Sequence, residues 1–465
     1  MNYIKYGFLT VLLFTAGYTI AEPAKGLINY PPVNDVTLPN GLRVMLIEHH
    51  EQPTVSYRVV VRAGRIDGPL GKEGLADLTA RLLQEGTLSM TSDQIADKIA
   101  EIGGELSISS QSNYTTIGLN ILSEHSRAGF DILADVILNP VFPPQGINRV
   151  KKEMLNTVNM DFTDKDKIAS NHGQLLLFGS EHPLGRANTK NSLEGISPKD
   201  IRDFYQRYYC PNNSMLLVIG DFSKEQMLAQ ITEKFGSWKQ AEPRQRVQPK
   251  PDFTKKGKFR VVDKPDMTQA VIYLNQWAIS SKSPDYYEYL LINYVLGGSD
   301  FSSRLMSAVR AKGGKTYAIG SRYDMNFDYG ILSITTSTRN QEMLNTYQLI
   351  QTELKKLIDK GITEDELVKA KAYISGAIPL QLETPASIAD KILKAIMRGF
   401  TIDDLSKEVI NYNSITVDDV NRVIKEYIKP ENMNIVIVGD AGKIEKQLTQ
   451  VGTYEKIYYK ELPVR

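Results

Sequence analysis

Two short stretches hold residues whose types and spacing suit chemistry. In the first, Gly71-Lys72-Glu73-Gly74-Leu75-Ala76-Asp77-Leu78-Thr79-Ala80-Arg81-Leu82-Leu83-Gln84-Glu85-Gly86-Thr87, an acid precedes a base by four positions. Residues i and i+4 share a helix face, and in this order they attract. Asp77 alone is a weak metal ligand. Arg81 is a permanent cation that repels a metal dication, so the expected outcome is an Asp77–Arg81 ion pair. In the second stretch, Asn293-Tyr294-Val295-Leu296-Gly297-Gly298 leads through a helical pattern to Arg310-Ala311-Lys312-Gly313-Gly314-Lys315-Thr316-Tyr317. Gly313-Gly314 predicts the end of the helix, which puts Tyr317 at the start of an extended segment. A phenol donates well to a carbonyl that is becoming an oxyanion. A guanidinium offers charged donors to a second backbone carbonyl. Gly297-Gly298 is short enough to be either a glycine-rich loop or a plain turn, and the turn is the expected reading; it is not a phosphate loop, because no G-K-[ST] follows it.

The remaining chemically versatile residues are scattered. His49-His50 follow a predicted strand, where neighbours point to opposite faces. His125, His172 and His182 lack metal-ligand spacing. Cys210 is the single cysteine and reads as a buried structural thiol. No zinc or other cofactor is expected in this chain.

The first stretch resembles the zinc helix of the pitrilysin, insulin-degrading enzyme and mitochondrial processing peptidase family. That family carries the inverted zincin signature H-x-x-E-H here. Asp77, Ala80 and Arg81 stand at its three positions. Counting along the matching helix Ile147 to Met160 puts the family's further glutamate ligand at Thr157, so all four metal and base positions depart. The second stretch is similar to the family's other signature, in which an arginine and a tyrosine contact the substrate backbone across a cleft; here they are Arg310 and Tyr317. Ser107-Ile108-Ser109-Ser110 stands where catalytic relatives carry N-A-x-T on a strand that takes up an extended peptide by its edge.

The resemblance implies two α+β lobes, each a sheet covered by helices, related by a pseudo-twofold and facing across a cleft. It implies a noncatalytic subunit of a heterodimeric zinc metalloendopeptidase, which binds unfolded peptide and supplies Arg310 and Tyr317 to the zinc site of a homologous partner bearing H-x-x-E-H. Zinc is expected in that partner, and a homodimer in isolation is compatible with the fold. The alternative is a non-proteolytic structural or peptide-binding scaffold of the same fold.

The lobes are legible as a duplication. Ser197-Pro198-Lys199-Asp200-Ile201 runs through Tyr208, Pro211 and Asn213 into Leu216-Leu217-Val218-Ile219-Gly220-Asp221. Thr416-Val417-Asp418-Asp419-Val420 runs through Tyr427, Pro430 and Asn432 into Ile435-Val436-Ile437-Val438-Gly439-Asp440, at a constant offset of 219 residues (416 − 197, 439 − 220). Each unit predicts a capped helix with an acidic first turn, a turn, and a buried strand. Long helical patterns lie between strands without strict alternation, which favours α+β. The connector Gln240 to Pro251 is polar and proline-rich, a linker composition. These signals divide the chain into residues 22–239, a linker at 240–257, and 258–465.

Bulk properties exclude whole classes. A chain of 465 residues exceeds one ordinary domain. A hydrophobic fraction of 42% with 23% charged residues is that of a globular protein. The net charge of +1 gives no electrostatic case for nucleic acid. Residues 1–21 read as a secretory signal: Lys5, an apolar run from Gly7 to Ile20, and a small-residue end at Ala21. The expected location is periplasmic or otherwise secreted.

Overall fold

The computed structural model describes residues 26–299 and 302–461; the export signal read at 1–21 lies outside them. Two six-stranded mixed sheets form the frame. The first comprises β1 (Asn34–Thr37), β2 (Arg43–Glu48), β3 (Thr54–Val61), β4 (Glu105–Ser110), β5 (Thr115–Leu122) and β6 (Ser214–Gly220), ordered β1-β2-β6-β3-β5-β4. The second comprises β7 (Phe259–Asp263), β8 (Gln269–Ala278), β9 (Thr316–Met325), β10 (Gly330–Arg339), β11 (Asn434–Gly439) and β12 (Glu455–Tyr458), ordered β12-β7-β11-β8-β10-β9. Five strands correspond one to one. The sixth does not: β1 joins β2 antiparallel from the chain's beginning, whereas β12 joins β7 parallel from its end.

The repeat units form as their sequences dictate. The helices Pro198–Tyr208 and Val417–Tyr427 start at Ser197 and Thr416, whose hydroxyls accept from the amides of Asp200 and Asp419. Those carboxylates accept in return from the cap amides, and two otherwise orphaned donors are satisfied at each end. The strands that follow, β6 and β11, sit between a parallel and an antiparallel neighbour and are buried almost throughout. Their uninterrupted apolar runs therefore face packed layers on both sides.

Four helices position the sites: α1 (Leu75–Leu82), α2 (Pro144–Asp161), α3 (Lys165–Phe178) and α4 (Pro385–Met397). On one face of each sheet, helices from the same half build the main core, with Phe130, Leu133 and Ile201 in the first and Tyr289, Leu354 and Ile424 in the second. On the other face the halves exchange. Helix α3 of the first half lies on the second sheet, where Ile168, Ala169 and Leu176 meet Val271, Val436 and Val438. Helix α4 of the second half lies on the first sheet, where Ile388, Ala389 and Ile392 meet Met45, Leu217 and Ile219. The packed lobes are thus not the two sequential halves. Burying this apolar surface at about 25 cal/mol per Å2 ties the halves together more strongly than a linker does.

The connector is also fastened. Arg246 donates to both oxygens of Asp67, at 2.9 and 2.8 Å, and to the carbonyls of Arg62 and Asn113. The Val247 carbonyl lies 3.1 Å from His182 Nε2. Among the described residues no helix is long and apolar enough to cross a membrane.

Candidate functional site

Helix α1 begins after Gly74, whose φ of +96° few side chains tolerate. A Cβ there would also come within 2.5 Å of Leu193, so glycine is required to admit the loop beneath the neighbouring helix. The helix buries Leu75, Leu78 and Leu82 and turns Asp77 and Arg81 outward. Arg81 Nε donates to both carboxylate oxygens of Asp77 at 3.1 Å, the pairing that their spacing predicts. Both side chains line a cavity of about 390 Å3 whose opposite wall is the end of β4 and the following turn, Ser109 to Ser112.

These residues do not fit a zinc ion. Both Asp77 oxygens are engaged by a cation. Ala80 is fully buried and absent from the cavity lining. Thr157 is exposed on α2, its hydroxyl donates to the Glu153 carbonyl one turn back at 3.2 Å, and it does not line the cavity either. Among the described residues no three His, Cys, Asp or Glu side chains converge as a metal site.

The structure adds residues that local sequence did not signal. Arg186, on the cavity wall, donates to Glu73 at 2.6 Å, and both side chains are largely buried. It also donates to the carbonyls of Gly68 and Glu181. Arg65 reaches Gln174 of α3 and the Leu184 carbonyl. Glu73 lies in the first stretch, but its partner lies 113 positions away, and no short-range pattern reports such a contact.

The second stretch differs from the sequence expectation in one detail. Gly297-Gly298 is not a plain turn: Tyr294–Gly298 continues the helix Tyr286–Asn293 as a π-helical turn. The reason is steric. A Cβ on Gly297 would approach the Ser321 amide to 2.4 Å, so the helix end packs directly against β9. Arg310 lies half-buried in a second π-helical segment, Met306–Lys312. Its carbonyl accepts from the amides of Gly313 and Gly314 as the helix stops.

Tyr317 is the second residue of β9, the terminal strand of its sheet. The ladder with β10 shifts here: Thr336 faces Ile319 but Thr338 faces Thr316, so Tyr317 and Ala318 stand against Ser337 alone. This is a β-bulge, a device that re-aims side chains at sheet edges. Thr316 Oγ1 secures it by donating to the Ser337 carbonyl at 2.7 Å and accepting from the Ala318 amide at 3.2 Å. Tyr317 is left 85% exposed. Neither Arg310 nor Tyr317 lines the cavity at Asp77.

Paired α+β lobes and an edge strand beside a cavity define a two-lobed peptidase-like body, and among its described residues no group of side chains is placed to hold a metal. Residues 43–172 match the family model for insulinase, peptidase family M16, and residues 195–374 match the model for the peptidase M16 inactive domain; the chain belongs to the M16 family. It is 24% identical over 413 residues to an uncharacterised zinc protease, YmxG, of Bacillus subtilis, covering 88% of this chain and 98% of that one. It is also 24% identical over 424 residues to the non-peptidase homolog YmxG of Helicobacter pylori, covering 90% and 95%. The crystal structure of a peptidase M16 inactive domain from Pseudomonas fluorescens superposes with a TM-score of 0.82 at 25% identity, covering 88% of this chain and 98% of that one.

Proposed function

We propose that this chain is the noncatalytic subunit of a two-chain zinc endopeptidase. It binds unfolded peptide and presents Arg310 and Tyr317 to a homologous partner that carries the zinc. The observation that carries this reading is the bulge at Tyr317. A tyrosine opening a strand is ordinarily a packing residue, yet this one is turned into solvent on an edge strand. Its hydroxyl is free to donate to a carbonyl that becomes an oxyanion, and Arg310, one helix end away, supplies charged donors to the neighbouring peptide group. Zinc held by the partner would activate the attacking water. The export signal read at residues 1–21 puts this work in the periplasm or outside the cell.

Co-purification from the native cell envelope, followed by chelator-sensitive cleavage of an unstructured peptide, tests the proposal. The expected result is a stoichiometric partner bearing H-x-x-E-H, activity only in the complex, and loss of turnover in Arg310→Ala/Tyr317→Phe without loss of the complex. Unchanged turnover in that double variant overturns it in favour of a scaffold. The Helicobacter pylori relative's designation as a non-peptidase homolog is compatible with either outcome.

A further inference from the structure

The pseudo-twofold lets each residue be compared with a counterpart in the other half. Ser56 faces Ile219 in the first sheet and Val271 faces Val438 in the second; with β6 and β11 offset by 219, Arg62 is therefore the counterpart of Trp277. The exchanged helices align through their capping residues Asp164 and Thr384. The pairs Ile168-Ala169 and Ile388-Ala389 follow, and then Gly179 and Gly399, with φ of +80° and +88°. This makes Arg398 the counterpart of Phe178.

Around Phe178 the corner is closed by rings. Phe178 stacks on His182 at 5.1 Å and meets Trp277 and Tyr329 edge-on at 5.0 and 5.5 Å. At the matching corner both aromatic residues are replaced by arginines, and the space is an open cavity of about 540 Å3 bounded by the first sheet, the connector, the β9–β10 turn and α4. Arg62, Arg244, Lys394 and Arg398 all line it. Its two lining carboxylates are already engaged: Asp67 by Arg246, and Asp328 by Lys282 at 2.8 Å. Among the described residues none of the four remaining cations has a carboxylate within ion-pair distance. Arg62 is exposed at the cavity rim, yet partial desolvation, then the like charges of Arg246 and Arg43, lower its pKa.

We infer that this corner is a binding site for a small polyvalent oxyanion, whose charge links Arg62 of the first half, Arg244 of the connector, and Lys394 and Arg398 of the second half. The fork of a guanidinium matches phosphoryl or carboxylate oxygens two at a time, and the volume lies in the range of small-molecule sites. No residue is shared with the cavity at Asp77, so the two sites are separate.

The test is calorimetric titration and thermal denaturation of the full chain with pyrophosphate, tripolyphosphate and citrate, each against sodium chloride of equal ionic strength. The expected result is a saturable one-to-one isotherm and a rise in Tm for at least one of them. Phosphates alone would identify a phosphoryl ligand, citrate alone a polycarboxylate. Arg62→Ala and Arg244→Ala should each weaken binding by about tenfold, the worth of a charge-assisted bond. Arg62→Trp/Arg398→Phe, which installs the counterpart residues, should abolish binding. Arg244 lies in the connector outside any helix or strand, so its variant stays informative if the double variant fails to fold. No response beyond that to chloride, or wild-type affinity in both single variants, overturns the inference.

Discussion

The two exchanged helices make the sharpest comparison in the molecule. Helix α3 on the second sheet and α4 on the first have the same cap positions, the same Ile-Ala pair and the same terminal glycine. The α3 interface ends in a cluster of rings. The α4 interface has an ion pair at its centre, Arg58 to Asp390 at 2.7 Å, and a cationic cavity at its end. Duplication kept the backbone solution, because the apolar faces that need covering are alike. The side chains beyond those faces were free to diverge into packing on one side and charge on the other. The same contrast separates the two motif stretches, one closed by the Asp77–Arg81 ion pair and one with Tyr317 held outward.

The largest expected effect comes from breaking the aromatic corner. Trp277→Ala should cost about 4 kcal/mol, as for large aromatics in cores, whereas Arg62→Ala, at its counterpart on the rim of the open cavity, should cost under about 0.5 kcal/mol. Urea unfolding of both variants gives the contrast directly; equal losses would mean that the two corners are energetically alike.

The next effect is a pH dependence belonging to α3 alone. His172 is fully buried in the exchanged interface, and its Nδ1 accepts from Arg260 at 3.2 Å. Burial, reinforced by Arg260, lowers its pKa to about 4. The unfolded chain binds the proton first, so this contribution is intact above about pH 6.5 and is lost as pH falls toward 4. Between pH 7.5 and 4.5 the loss should be about 2–3 kcal/mol. The counterpart on α4 is Ile392, which does not titrate. His172→Ile should therefore flatten the profile over this window, and an unchanged slope would falsify the assignment.

Asp390→Ala should cost about 2 kcal/mol. This is below the range for a fully buried pair, because Asp390 is half exposed while Arg58 is not, and Arg58 keeps Asn120 and the Tyr57 carbonyl. Chemical denaturation checks it, with Asp390→Asn expected to recover part of the loss. The smallest effect belongs to the Asp77–Arg81 pair. Asp77→Ala should change stability by no more than about 0.5 kcal/mol, as exposed i, i+4 pairs do. A loss of several kcal/mol would show that the pair holds the helix rather than merely filling the cavity mouth.

Much of this was readable along the chain. The capping boxes at Ser197 and Thr416, the buried runs into Gly220 and Gly439, the Asp77–Arg81 pairing and the helix stop before Tyr317 each depend on residues a few positions apart. The π-helical turn at Gly297-Gly298 was missed because it answers to Ser321 on another element. The Glu73–Arg186 and Asp67–Arg246 pairs were missed for the same reason.

By itself, then, the sequence determined the duplication, the α+β class, the helix and strand boundaries near their caps, and the pairing of Asp77 with Arg81. Only the tertiary structure decided which sheet each amphipathic helix covers. It also decided that Tyr317 leaves the ladder on a bulge, and that four cations from distant segments meet in one cavity. Local rules act through bonds and periodicities spanning a turn or two. The exchange of helices, by contrast, is a choice between two apolar sheet faces that look alike from the chain, settled only when every surface is packed at once.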